Sequence, residues 1–476
     1  MKYCAYKIFK SQSPVQELFS AFKDDRMPFL LESRADVMGM GRYSFFGSEP
    51  FLTLKVSGGR CRIEREGIAE VAQGQPLPVL REMLETYRLG GNFKTPIPFL
   101  CGAVGFFSYD FGFSLERIKR KNTPDPAVPE LMFGFYDCVV CADHRSGEIF
   151  IFSCGFPERG FSRERRAVFQ LEKVIKKLQN PVLRPLRGSS SGKFLKQKDL
   201  SSNFSKNSYL AAIRKAKDYI AAGDIYQVNL SQMFKTRLKI EDWLLYRRLL
   251  SNFPVSFSAF FSATGGKDEE FSIISASPER FLDFDGRVVT TRPMKGTRKR
   301  TASPALNRRL KEELIHSKKE KAELLMIVDL ERNDLGRVCD YGSIKVRCPR
   351  VIEEYSNVFQ ATAEIEGTLH KTKDRLDLIK ACFPGGSVTG CPKIRAMEII
   401  EELEPHARSV YTGSLGYLSF HNTLQFNILI RSFLKKGDEI FYNVGGGIVT
   451  DSRPANEYEE TLIKGRALRE ALLSKG

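Results

Sequence analysis

Carboxylates recur at helical spacing in two places. In "KEKAELLMIVDLERND", Glu320 and Glu323 are three apart and share a helix face, while Leu324, Leu325, Ile327 and Val328 supply apolar burial. In "DSRPANEYEETLIKG", Pro454 suits a first helical turn, and Glu457, Glu460 and Lys464 lie at i, i+3 and i+7 on one stripe. Either pair alone reads as ordinary surface charge. If the two converge, they suit a hard divalent cation. Mg2+ takes one or two carboxylates directly, keeps water, and leaves positions for substrate oxygens.

Two further stretches carry potential chemistry. In "TTRPMKGTRKR", Lys295 stands between Pro293-Met294 and Gly296-Thr297, and Arg298, Lys299 and Arg300 follow as solvated charge. Lys295 is either one more surface lysine or a reactive amine held in a tight turn. A nucleophilic amine must be uncharged, which desolvation and neighbouring positive charge promote. In "NVGGGIVTDS", Gly445, Gly446 and Gly447 leave a strand ahead of a helix. Glycine lets backbone N–H groups approach an anion, or simply makes a bulge or bend. The run fits neither G-x-G-x-x-G nor the P-loop, so it gives no nucleotide signal.

The elements that must position these residues follow from patterning. Residues 1–180 are rich in short aromatic and β-branched runs such as "FLTLKV", "CGAVGFFSYDF", "MFGFYDCVV" and "GEIFIFSC", which read as strands. "RRAVFQLEKVIKKLQNP" has helical spacing, and the polar, Gly/Ser-rich 181–206 reads as a linker. Beyond it, 207–476 reads as a second domain. "NSYLAAIRKAKDYIAAGD" is a capped helix, and "IYQVNLSQMF" alternates as a strand with Gln227 and Asn229 on one side. Strands are predicted at "FSIISASPERFLDF", "RVVTTRPM", "LGYLSF", "LQFNILIRSFL" and "IFYNVGG", and long helices at 303–329, 392–403 and 454–473. Strands run in groups without βαβ alternation, which predicts α+β with antiparallel or mixed sheets.

Composition narrows the class. The chain has 476 residues, 42% hydrophobic and 28% charged, as in globular proteins. No stretch offers the ~18 uncharged apolar residues of a membrane span. The start "MKYCAYKIFK" lacks a signal-peptide run, so a soluble cytoplasmic protein is expected. The net charge of +17 favours anionic ligands, but it is spread out and interleaved with glutamates, against nucleic acid. Ten scattered cysteines argue against a disulfide framework, and "CVVC" (138–141) lacks the partner motif of a zinc site.

In this order, "PERF", "RPMKGTRKR", "AELLMIVDLERNDLGRV", "FPGGSVTGCPKIRAMEII", "YTGSLGYLSF", "NILIRSF" and "GGGIVTDSRPANEYEETLIKG" resemble the chorismate-utilising enzymes. That family includes the large subunits of anthranilate and aminodeoxychorismate synthases, with isochorismate and salicylate synthases as relatives. The resemblance is dense over 200–470 and weaker before it. It implies the anthranilate synthase component I-like fold, two β-sheets packed around a central crevice with surrounding helices. It implies that Glu323 and Glu460 ligate Mg2+, with Glu320 and Glu457 as water-mediated or outer partners, so that the metal holds the ring carboxylate of chorismate. Lys464 would help neutralise that carboxylate. Tyr411 and Arg431 would hold the enolpyruvyl carboxylate, assisted by the amides of Gly445–Gly447. Gln227 and Thr297 complete the expected substrate contacts. Glu279 would be the general acid for the departing C4 hydroxyl.

Within the family, three positions discriminate. Enzymes that add water at C2 carry a lysine base where this chain has Gln227, an amide that cannot deprotonate water. The turn of anthranilate synthases resembles P-I-A-G-T and that of aminodeoxychorismate synthases P-I-K-G-T; here it is Pro293-Met294-Lys295-Gly296-Thr297. The resemblance thus implies a Lys295 amine that attacks C2 before ammonia attacks C4. Asp377 stands where anthranilate synthases have a histidine. In the other direction, "FLLESR…GRYSFFG" resembles the anthranilate synthase version of the family's tryptophan site, with Glu32, Ser33, Arg42, Tyr43 and Ser44 at matching positions. An ordinary strand and turn is the alternative for that stretch. Nothing resembles a G-x-C-x-G glutaminase elbow, so a glutamine amidotransferase subunit in a heterodimer is the expected ammonia source. Anthranilate synthase chemistry is the alternative assignment.

Overall fold

The computed structural model describes residues 4–33, 40–90, 95, 97–125, 127–179, 199–251, 253, 255–264, 270–355 and 358–473. Three runs that read as single strands are each two strands in different sheets. "MFGFYDCVV" divides at Asp137 into Leu131–Tyr136 and Cys138–Asp143. "FSIISASPERFLDF" divides at Pro278-Glu279 into Phe271–Ser277 and Arg280–Phe284. "LQFNILIRSF" divides at 428–431 into Leu424–Asn427 and Ser432–Lys436. In every case the chain leaves one sheet and enters the other. Burial is nearly continuous through each crossing, so nothing in the pattern of apolar residues marks the break.

Among the described residues each sheet has twelve strands, all of whose pairings are antiparallel. The first runs from the edge strand Ala5–Lys10 through Phe29–Glu32, Phe257–Ala263, Phe271–Ser277 and Ser432–Lys436 to Glu439–Ile448 and Gln227–Arg237. The second runs from Met294–Lys299 through Val358–Thr368, Arg280–Phe284, Leu424–Asn427, Ser414–Ser419 and Gly102–Phe107 to the edge strand Ile68–Ala72. With the helices around them, this is the expected α+β architecture. Each sheet combines strands from both sides of the 181–206 segment. Phe29–Glu32 pairs with Phe257–Ala263 in one sheet, and Gly102–Phe107 with Ser414–Ser419 in the other. The division at 181–206 therefore separates stretches of chain and not separately cored bodies. Residues 181–198 themselves lie outside the described residues, and Ser201–Ser202 pairs as a short strand.

The main core lies between the sheets. It is aromatic, with Phe99 stacked on Tyr417 at 4.4 Å and Phe106 packed edge-on to Phe261 and Phe271. Each such fully buried ring contributes ~2 kcal/mol. A second core, around Trp243, Tyr246 and Phe260, fills the space between the first sheet and its outer helices. The "CVVC" cysteines are buried in this framework and free.

Two of the long helices predicted are each broken. The 303–329 stretch is Pro304–His316 followed by Lys318–Gly336, because Ser317 ends the first and caps the second by accepting from the Glu320 N–H at 3.3 Å. Gly465 divides 454–473 into Pro454–Lys464 and Arg466–Leu473. The 392–403 helix is present as Lys393–Leu403.

Candidate active site

Two of the three crossings meet the two broken helices at one place. Glu279 sits on one crossing and Arg431 ends the other, and the two segments are tied together. The Ile428 N–H donates to the Glu279 carbonyl at 3.0 Å, and the Ser277 hydroxyl donates to the Ile428 carbonyl at 2.6 Å. Glu279 is buried, and burial raises its carboxyl above the ordinary value, opposed by Ser387, Lys295 and Arg431. Arg431 adopts a left-handed φ of 51°, a strained conformation for a non-glycine residue that concentrates at functional sites. Its guanidinium lies over Phe253 at 5.6 Å, and burial lowers its pKa, with Tyr355 and Glu279 opposing.

Lys295 is in the strand Met294–Lys299, at a register shift in its pairing with Val358–Thr368: Met294 faces Thr362 but Thr297 faces Gln360. This bulge is completed by Gly296 at φ 81°. A Cβ there would stand 2.9 Å from both Glu320 Cδ and Leu314 Cδ1, so the turn requires glycine. The amine of Lys295 donates to the Ser387 carbonyl at 3.2 Å. Burial lowers its pKa; Glu323 opposes this, Lys464 adds to it, and Glu279 and Glu460 oppose it. Lys295 is thus half-buried, and the residues acting on it are Glu279 and those of the two carboxylate helices. The flanking basic run is not wholly solvated either. Arg298 pairs with Glu320 at 2.7 Å, and Arg300 donates to the Tyr355 carbonyl at 3.0 Å. Thr297 lies exposed beyond the bulge.

Glu323 comes from the helix Lys318–Gly336, and Glu457, Glu460 and Lys464 from Pro454–Lys464. Burial raises the Glu323 carboxyl, opposed by Lys295 and Lys319, and the negative charges of Glu460 and Glu457 add to the rise. Glu460 is lowered, chiefly by Lys464 at 2.7 Å. Lys464 also donates to the Gly445 carbonyl at 3.1 Å, and Lys319 lies 3.7 Å from both Glu323 and Glu457. Glu457 accepts from the Ser452 hydroxyl at 2.7 Å. Glu320 is engaged by Arg298, with its Oε2 buried and without a hydrogen-bond partner among the described residues. No group of three or more His, Cys, Asp or Glu stands at metal-holding spacing among the described residues. The donors on offer are carboxylates alone, from two helices whose charges act on each other. That set fits a hard divalent cation held by two carboxylates and water.

The three glycines do not leave the strand; they lie inside Glu439–Ile448, paired with Gln227–Arg237. Their role is room. A Cβ on Gly445 would stand 2.8 Å from Asn229 Oδ1, and one on Gly447 would stand 3.2 Å from Gln227 Nε2. Both amides are buried, and Gln227 Oε1, Gln227 Nε2 and Asn229 Oδ1 have no hydrogen-bond partner among the described residues. Buried polar atoms left this way suit a polar ligand. Tyr411 is buried, its hydroxyl pKa raised by that burial, and it lines a cavity of about 180 Å³ with Met233, Tyr442 and Asn443.

Sequence reasoning missed three participants. Ser387 meets the Lys295 amine, and its motif "FPGGSVTG" had been legible without its role. Arg408 lies behind the site, bonding Glu404, the Asn229 carbonyl and the Val388 carbonyl. Lys319 bridges the carboxylate helices. Asp377 is not at the site: it closes a capping box with Asp374 and pairs with Arg81. The five residues matched to a tryptophan site have partners in different directions. Glu32 accepts from Tyr246 and Gln16 on the helix side, the Ser33 N–H donates to Ser44 Oγ, Arg42 pairs with Asp143, and Tyr43 packs toward the inter-sheet core. Residues 34–39 of that stretch lie outside the described residues.

A family model described as chorismate binding enzyme matches residues 39–470. Aminodeoxychorismate synthase component 1 of Bacillus subtilis is 35% identical, over 98% of this chain and 95% of that protein. Anthranilate synthase component 1 of Cereibacter sphaeroides is 36% identical, over 94% and 89%. The solved structure of anthranilate synthase component I from Streptococcus pneumoniae matches with a TM-score of 0.78 at 28% identity, covering 91% of this chain and 92% of that one.

Proposed function

The chain belongs to the chorismate binding enzyme family, and on that premise we propose that it aminates chorismate at C4, in the manner of the aminodeoxychorismate synthases. The observation that carries this reading is the half-buried amine of Lys295, its pKa lowered by desolvation, facing the Ser387 carbonyl and within the field of Glu279. In the proposed sequence the amine bonds to C2, the ring double bonds shift, and the C4 hydroxyl leaves as water on the proton of Glu279. Ammonia then bonds to C4, the double bonds shift back, and the Lys295 amine departs. The product is 4-amino-4-deoxychorismate, a precursor of 4-aminobenzoate. Gln227 offers no base for water, which supports amination over hydration.

Arg431 and Tyr411 orient the enolpyruvyl carboxylate; the planar fork of arginine suits that task. Glu323 and Glu460 would hold Mg2+, with Glu457 and Glu320 beside them; when bound, the cation supplies fixed positive charge opposite the ring carboxylate. Lys464 adds a second charge there. The relatives' name "component 1" supports a second component, which we take to be a glutamine amidotransferase delivering ammonia in a heterodimer.

A relative of nearly the same identity supports the alternative, C2 amination to anthranilate with loss of pyruvate. One assay separates them: the purified chain with chorismate, Mg2+ and ammonium. The expected product yields 4-aminobenzoate only after a lyase is added. Direct release of fluorescent anthranilate and pyruvate overturns the proposal. Glutamine in place of ammonium is expected to give no product from this chain alone.

A further inference from the structure

Two lysines carried by the carboxylate helices, Lys319 and Lys464, are held differently. Lys464 is fixed: it is 2.7 Å from Glu460 and donates to the Gly445 carbonyl. Lys319 is not. It is the second residue of the helix Lys318–Gly336, its side chain is 49% exposed, and its ammonium is 3.7 Å from Glu323 on its own helix and 3.7 Å from Glu457 on the facing one. Those separations are ion pairs longer than hydrogen bonds, so Lys319 balances charge without being locked in place. A divalent cation at Glu323 and the Lys319 ammonium would repel each other across a few ångströms, while the flexible stem lets the ammonium swing to water.

We propose that Lys319 is a displaceable counter-ion, which neutralises Glu323 and Glu457 until a divalent cation expels it and so weakens cation binding. The inference rests on the reading that Glu323 and Glu460 hold the cation. It assigns Lys319 a job distinct from Lys464: to keep two facing acidic helices together without the metal, at the cost of affinity for it. The expelled ammonium would be left beside the two helices, free to meet an anion.

The test is Mn2+ binding without substrate, followed by the loss of the free-ion electron paramagnetic resonance signal, on the full chain and on Lys319→Met, Lys319→Arg and Glu323→Gln. Circular dichroism checks that each variant is folded. Lys319→Met is expected to bind about tenfold more tightly than the unsubstituted chain at low salt, with the difference shrinking at high salt. Lys319→Arg, which keeps the charge, is expected to stay within about twofold of it. Equal or weaker binding by Lys319→Met, with Glu323→Gln losing the ion, overturns the counter-ion role alone. Tighter binding by Lys319→Arg also overturns it, since charge would not be the cause. Binding by Glu323→Gln as tight as that of the unsubstituted chain, or no binding by any form, overturns the cation reading and the inference with it.

Discussion

Burial holds the Glu279 carboxyl above the ordinary glutamate range, so its acid form persists to higher pH than that of a free side chain. Chemistry that needs this proton is lost as pH rises through the raised value. Glu279→Gln is expected to lower kcat/KM by ~10²–10⁴ and to remove that limb from the pH profile. Glu331 shows a related effect. Thr291 Oγ1 is 2.8 Å from both the Phe281 carbonyl and Glu331 Oε2, yet a hydroxyl has one hydrogen. A proton on Glu331 would let it donate in one of the two bonds, in line with the strong upward push of burial on its carboxyl. Glu331→Gln, neutral and nearly isosteric, is expected to leave the urea midpoint within about 1 kcal/mol of the parent's stability, whereas Glu331→Ala costs ~1–3 kcal/mol. At this scale the sequence was informative where a residue type names its chemistry. That Lys295, Glu279 and Arg431 belong to one place was legible from motif resemblance. Ser387, Lys319 and Arg408 were not, because each has a partner brought to it by distant chain: Lys295, Glu457 and Asn229 respectively.

At the scale of elements, the 3-10 turn Tyr109–Phe111 joins the second sheet to a segment lying on the helix Lys393–Leu403. Its Asp110 is buried, and its pKa rises from 3.8 to about 6 through burial, opposed by Arg120, with Glu401 and Glu130 adding to the rise and a backbone bond from Ser409 opposing it. Below pH 3.8 the carboxyl is protonated whether folded or unfolded. As pH rises toward 6 only the folded chain retains the proton, and ~3 kcal/mol of stability is lost by the time both states are ionised. Asp110→Asn is expected to flatten the dependence of the urea midpoint on pH across this window. The strands and helices themselves were mostly readable from period and caps. What was hidden was where they stop: Ser317 restarts a helix in mid-pattern, and Glu279 and Arg431 lie at sheet changes inside unbroken apolar runs. A break of this kind is decided by what packs on either side.

For the molecule as a whole, the pairing of Phe29–Glu32 with Phe257–Ala263, and of Gly102–Phe107 with Ser414–Ser419, removes any self-sufficient half. Residues 207–476 expressed alone are expected to be insoluble or unfolded. Two pieces divided between 181 and 198, co-expressed, are expected to co-purify and regain turnover of chorismate; soluble, active 207–476 alone would contradict this. The polar 181–206 stretch suggested two domains because patterning reports local periodicity, and shared sheets are a property of distant pairings.

The tied crossings at Glu279 and at 428–431 also make the enzyme a gauge of its own folding. The acid and the arginine cannot separate unless the two sheets part, and parting them opens the aromatic interior. Catalysis and tyrosine burial should therefore vanish together in a urea titration, with one midpoint for turnover and for near-ultraviolet dichroism. An inactive species that keeps its aromatic signal would mean that the seam opens on its own.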